Sequence, residues 1–481
     1  MEETMFSLQA RSDISSDEGE SGFYRTTFNL QVLPADECNW AWQTDTDIPQ
    51  ITGISWSASS QRTQWCYQRL GFDIVLFNTY LRETADRTGQ DYQYYHAEVR
   101  FLRALHYWYF LDLWHKAPFK DETDAPDALP VPKEGVDLYR WIDEELTAIE
   151  SELAPVGTFN TPNDFGRVDQ GAAWLLHARL ALNAAIYTDN QINDLDKAET
   201  YATKLIDCGK YKLASNAVNG YSYSGANYLI SSTRIAGMPY AGTSNCWSCN
   251  YARPDLVYKF FPKGDIPMAT EALADDASEE DIIAQDARTG TDTKSILKAA
   301  GDDRALFYAG CGGGIRKLKT DKMNNFLDGI SVVKFQNFRS DRPQTAADRG
   351  VKDVEWPDMD IPLLRYAEAY MIRAEVRYRQ GDEAGSLNDV NVLRKRANAA
   401  ELTAVTEDDL IDEWCREFYM EGRRRSDLNR FGRFTGKAYL WAWKGGVAEG
   451  QTVDAHFQYY PIPSDDINNN PNMANSQNEG D

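Results

Sequence analysis

Residues 363–397 read LLRYAEAYMIRAEVRYRQGDEAGSLNDVNVLRKRA. Leu363, Tyr366, Ala367, Tyr370, Met371 and Ala374 follow the i, i+3, i+4 spacing that lines one face of a helix. Gly381-Asp382 turns the chain, and Leu387, Val390, Leu393 and Ala397 form a second stripe on the way back. A further helix is predicted from Asp408 to about Met420. The stretch predicts helices packed in pairs, with small alanines where the two meet.

A helix, a tight turn and a return helix of this kind resemble a tetratricopeptide unit, here with an irregular period. The same periodicity occurs upstream. From Tyr95 to Trp114, Ala97, Phe101, Ala104, Leu105, Trp108 and Leu111 recur at helical spacing, and His115-Lys116-Ala117-Pro118 ends the run. Gln170 to Ile206 reads as a helical pair whose first half is apolar nearly all round, a sign of burial on several sides. The expected fold class is mostly α: a superhelix of tetratricopeptide-like pairs, with residues 60–210 and 361–435 as scaffold. Two segments break the pattern. Residues 1–59 read as loop-rich, with Pro34, Pro49 and Gly53 as breakers and Trp40, Trp42 and Trp56 among them. Residues 212–360 are rich in Gly, Ser, Asn and Tyr and read as long loops with a few short strands and helices. Irregular segments of that length are where function concentrates.

The formal net charge is −24, a field that repels phosphate backbones and anionic lipid and argues against nucleic acid as a partner. The 13 Trp and 26 Tyr exceed what a helical core needs, and aromatic side chains with a polar tip suit a ligand surface. Seven cysteines form no dense disulfide framework. No apolar run approaches the ~18 residues of a membrane span. The opening Met1-Glu2-Glu3-Thr4 carries no export signal, which leaves an intracellular protein or one whose signal is absent from this sequence.

Glu417 and Glu421 lie one turn apart on a helix face, a spacing that acid/base chemistry also uses. They stand among arginines, which hold carboxylates ionised and paired, so the cluster reads as an ion-pair network docking the last helix. No catalytic residue is assigned. Cys246-Trp247-Ser248-Cys249 lacks the second ligand pair of a zinc site and the strand–helix setting of a redox motif. In an exported protein a disulfide there would stiffen the loop and present Trp247. Gly310 to Gly314 has no phosphate-loop continuation, and the acidic run near Asp275 lacks the calcium-loop pattern. The five histidines form no H-E-x-x-H. Neither a cofactor nor a metal is expected.

Several segments, in order, resemble the SusD/RagB family of nutrient-binding outer-membrane lipoproteins. They are Leu33-Pro34-Ala35-Asp36-Glu37, Phe101 to Pro118, Asp303-Arg304, Arg365-Tyr366-Ala367-Glu368 with Ala374-Glu375, and Asn391 to Arg396. The most specific are Glu417-Phe418-Tyr419-Met420-Glu421-Gly422 with Arg424, Asp427-Leu428 and Arg430, and then Tyr460-Pro461-Ile462-Pro463 with Gln477 to Gly480. The chain departs from the family at Trp414, where an arginine is usual, and at Asp481, where an aromatic is usual.

The resemblance implies one SusD-like domain over residues 1–481, built on four tetratricopeptide-like pairs, with a ligand face formed by 1–59 and 212–360. It implies a binding protein rather than an enzyme, and a glycan as ligand. The implied partner is a TonB-dependent, SusC-like transporter, reached from the outer-membrane surface through a lipid anchor on a cysteine upstream of residue 1. Peptide binding, a cytosolic tetratricopeptide scaffold and a helical glycoside hydrolase are the competing readings. A sugar ring offers an apolar C–H face and a rim of hydroxyls, so aromatics and amide or carboxylate groups are the expected contacts. In the segments that the resemblance assigns to the ligand face, these are Trp40, Trp42, Trp56, Tyr221, Tyr223, Tyr240 and Trp247, with Asn39, Asp45, Asp47 and Asn245 as polar groups.

Overall fold

A computed structural model describes residues 21–159, 164, 166–213, 250–272, 274, 279–309, 315–332, 334, 363–478 and 480. The principal helices are α1 (Phe23–Val32), α2 (Gln61–Glu83), α3 (Gln90–Trp114), α4 (Gly135–Ile149), α5 (Gln170–Leu182), α6 (Leu195–Asp207), α7 (Ala367–Arg379), α8 (Glu383–Arg396), α9 (Glu407–Phe418) and α10 (Arg424–Arg430). Each packs against the next in sequence. Among the described residues α2/α3, α5/α6 and α7/α8 form antiparallel pairs, α4 bridges the first to the second, and α6 lies against α7. The fold is the expected helical superhelix of tetratricopeptide-like pairs.

Local chemistry accounts for the boundaries. Ala97 to Trp114 of α3 is buried apart from Arg100, and the helix stops where His115 takes φ 64° and its N–H reaches back to the Leu111 carbonyl. The predicted terminator then continues as a strand, β2 (Lys116–Phe119), paired antiparallel with β3 (Val131–Glu134). The Asp169 carboxylate caps α5 by accepting from the Gly171 N–H at 2.8 Å. Between α7 and α8, Gly381 adopts φ 87° and Asp382 accepts from the Gly385 N–H at 2.9 Å. A capping box of Thr406 and Asp409 opens α9.

The N-terminal segment differs from the loop-rich expectation. Every residue of α1 except Arg25 is buried. Four of them are polar: Thr26 and Thr27 return their hydroxyls to backbone carbonyls, and the Gln31 amide donates to Asp112 Oδ2. With polar and apolar residues enclosed alike, α1 has no stripe for periodicity to find.

A small antiparallel sheet joins segments far apart in sequence. Its strand order is β1 (Cys38–Trp40), β4 (Asn250–Ala252), β6 (Ile330–Val332), β5 (Phe307–Tyr308). Trp40 pairs with Asn250 and Tyr251 with Ser331, which brings the first loop region and the mid-chain region to one face.

The Glu417 cluster is a buried ion-pair network. Glu417 takes the guanidinium groups of Arg365 at 2.9 Å, Arg304 at 3.3 Å and Arg396. Glu413 takes Arg304 at 2.6 Å, Arg394 at 2.8 Å and Arg416 at 2.9 Å. Burial alone would raise the Glu413 pKa, but these guanidiniums, Arg304 foremost, bring it down to about 2. Glu421 is held by Arg365 at 2.7 Å and Lys334 at 2.6 Å. Trp414 is fully enclosed, and its indole N–H donates to Glu375 Oε2 at 2.6 Å.

Candidate ligand-binding face

β1 leads directly into the first cluster of candidate residues. Asn39 is fully enclosed, and its amide donates to the Met323 carbonyl at 3.1 Å. Trp40 is 3% exposed; its indole N–H donates to Asp45 Oδ2 at 3.0 Å, and the Arg62 guanidinium lies 5.9 Å over its ring. Trp56 is 4% exposed and packs on Phe457 and Tyr460. These three stand in the interior, with Asn39 tied to the mid-chain region, Trp40 to its own loop and Arg62, and Trp56 to the C-terminal segment. Trp42 is the tryptophan of the group that is only half-buried, edge-on to Phe326 at 5.4 Å.

The two aspartates carry structural work too. Asp45 holds the Trp40 indole, as above. Asp47, in a left-handed conformation at φ 57°, turns its carboxylate to the first N–H groups of α2, those of Gln61 and Arg62. An acidic group at that position satisfies orphan donors and meets the positive end of the helix dipole. Asp47→Ala is expected to cost about 0.5–2 kcal/mol of stability, the range for a lost helix cap. An unchanged denaturation midpoint would return Asp47 to the ligand groups. Tyr221, Tyr223, Tyr240, Asn245, Cys246, Trp247, Cys249 and Gly310 to Gly314 lie outside the described residues.

Beside Trp42 an open depression of about 400 Å³ is lined by Gln43, Thr52, Lys322, Met323, Asn324 and Trp443. Three remote segments build it and are tied together at its floor. Asn39 binds the Met323 carbonyl, and the Trp443 indole N–H donates to the Thr320 carbonyl at 2.6 Å. Arg253 donates to the Cys38 carbonyl at 2.6 Å and also to that of Ala442. Phe326, 39% exposed, extends the aromatic surface. Trp443, Phe326 and Asn324 were not among the contacts expected from the sequence. Trp443 lies outside both segments assigned to the ligand face, beyond the 361–435 scaffold, and nothing in its local sequence says that Thr320 lies opposite.

Elsewhere the described structure offers less. A cavity among Tyr24, Trp108, Arg179, Arg365 and Glu368 has room for only about 20 Å³, enough for a single water. Burial pushes the Glu37 carboxyl up to about 8, a value suited to acid catalysis, but the group is sealed inside against the Met420 N–H.

The sequence comparisons assign this architecture to a known family. Residues 212–480 match the profile of the SusD family. The starch-binding protein SusD of Bacteroides thetaiotaomicron is 50% identical to the chain, over 96% of this chain and 87% of that protein. The chain belongs to the SusD family.

Solved structures agree on the SusD fold. Surface glycan-binding protein A from Bacteroides uniformis superposes with a TM-score of 0.67 at 18% identity, covering 99% of both chains. Surface glycan-binding protein A from Bacteroides thetaiotaomicron, solved in complex with laminarihexaose, gives 0.65 at 16% identity over 99% of this chain and 98% of that one. At such identities the likeness speaks for the fold, and the site has to be argued from the side chains present here.

Proposed function

We propose that this SusD-family protein binds a glycan at the face carrying Trp42 and delivers it to a TonB-dependent, SusC-like transporter of the outer membrane. The observation that carries the reading is the half-buried Trp42, edge-on to the exposed Phe326 and next in the chain to Gln43, which lines an open depression. That aromatic surface matches the C–H face of a sugar ring, and the relative with half its residues identical is a starch-binding protein. A net charge of −24 suits a neutral ligand. Residues 1–481 act as one unit, with 60–210 and 361–435 as scaffold and the ligand contacts on 1–59 and 212–360. Among the described residues no helix is long and apolar enough to cross a membrane. The proposed attachment to the cell surface is a lipid on a cysteine upstream of residue 1. No catalytic step is proposed: Glu413 and Glu417 are held ionised by arginines, which removes them as proton donors.

The Trp42 ring supplies contact area on a loop anchored by buried neighbours. Trp42→Ala is expected to weaken glycan binding by more than about 1 kcal/mol, the mark of an anchor residue, with the thermal midpoint little changed. Trp247→Ala is expected to act in the same way. Calorimetry against starch and laminarin oligosaccharides measures both, and full affinity in either variant strikes that residue from the site.

A further inference from the structure

We propose that the depression beside Trp443 is an outer subsite of the glycan site. It takes one further neutral sugar residue of a longer chain against the Trp443 ring, with the Asn324 and Gln43 amides and the Lys322 ammonium on its hydroxyl rim. The proposal rests on the glycan-binding reading above.

Three observations carry it. The first is size: about 400 Å³ falls within the roughly 300–1,000 Å³ typical of small-molecule sites. The second is the cost of the Trp443 conformation. Its backbone lies at φ 68°, a left-handed geometry that is strained for a bulky side chain, yet the residue is only half-buried. Trp441, two residues earlier, is buried in the ordinary way. A half-buried tryptophan in that backbone geometry, lining the depression with its N–H fastened to the Thr320 carbonyl, is a ring placed for contact. The third is rigidity. Gly53 abuts Gly446, and an added Cβ at Gly53 would lie 2.8 Å from the Pro49 carbonyl oxygen and 3.5 Å from the Gly446 Cα. With the Asn39 and Trp443 bonds, this leaves the walls set before a ligand arrives, so little order has to be imposed on binding. The polar lining is the Lys322 ammonium, which donates, the Asn324 and Gln43 amides, which donate and accept, and the Thr52 hydroxyl. Gln43 Nε2 also donates to the Trp40 carbonyl, which fixes that amide in place.

The test uses the whole chain and calorimetry with two length pairs, maltotriose with maltoheptaose and laminaribiose with laminarihexaose. Asn324→Ala and Trp443→Leu are expected to weaken the longer member of the bound pair by about fivefold or more, and to leave the shorter member unchanged, since only a long chain reaches an outer subsite. Trp443→Phe, which keeps a ring, is expected to lose less than Trp443→Leu. Asn324 is exposed, so its variant reports even if the Trp443 variants disturb the loop. Wild-type protein that binds none of the four sugars overturns the glycan reading itself. Wild-type protein that binds the long sugar, with the Asn324 and Trp443 variants unaltered or weakened equally at both lengths, overturns the subsite alone.

Discussion

Glu417→Gln is expected to lower the unfolding free energy by about 3–5 kcal/mol, the cost of removing one partner from a buried ion pair. The glutamate is fully enclosed and lies among Arg304, Arg365 and Arg396, which come from three different parts of the chain. Neutralising it leaves their guanidiniums facing one another in a medium of low polarity. Losing one arginine is milder, because Glu417 keeps the other two. Arg396→Met should therefore cost clearly less than Glu417→Gln in urea denaturation. If the glutamine variant loses under about 1 kcal/mol, the network does not dock α9. The same carboxylates set the acid limit. Glu413 has a folded pKa of about 2 against an ordinary 4.5, so its contribution is present above pH 4.5 and is lost as pH falls toward 2. Glu417 and Glu421 are shifted in the same direction, by arginines that overcome burial.

The second large effect is at Trp414. Its side chain is fully enclosed, with the Arg423 and Arg430 guanidiniums 4.2 and 5.2 Å over the ring and the Phe418 ring at 5.4 Å. Trp414→Ala removes that packing and leaves a cavity between α7 and α9, at an expected cost of about 3–5 kcal/mol. Trp414→Phe keeps most of the ring but drops the bond to Glu375, which still holds Arg430 at 2.8 Å, so about 1–2 kcal/mol is expected. Guanidinium denaturation of the two variants gives the order. A phenylalanine variant as unstable as the alanine one would show that the indole N–H, rather than ring volume, is what the position requires.

Legibility in the sequence followed the kind of signal each element carries. α7 and α8 were readable because one face of each is apolar at helical spacing, and α3 because its apolar run ends at a clear breaker. α1 was not, since Thr26, Asn29 and Gln31 are buried along with Phe23, Phe28 and Leu30, and periodicity measures contrast between faces. The same limit applied to the site. Trp40, Trp42 and Trp56 look alike as sequence, yet two are enclosed and one is only half-buried. Trp443 lay outside both segments assigned to the ligand face, and only the approach of the 320–324 loop brings it to the rim of the depression.

By itself, then, the sequence determined the helical superhelix and the structural role of the Glu417 cluster, because both depend on interactions encoded at short spacing: apolar stripes, caps, and carboxylates set among arginines. The tertiary structure decided which aromatics meet solvent. That choice depends on strands and loops more than a hundred residues apart, such as Trp40 paired with Asn250 and Trp443 fastened to Thr320, and exposure is a property of what folds over a side chain rather than of its neighbours in the chain.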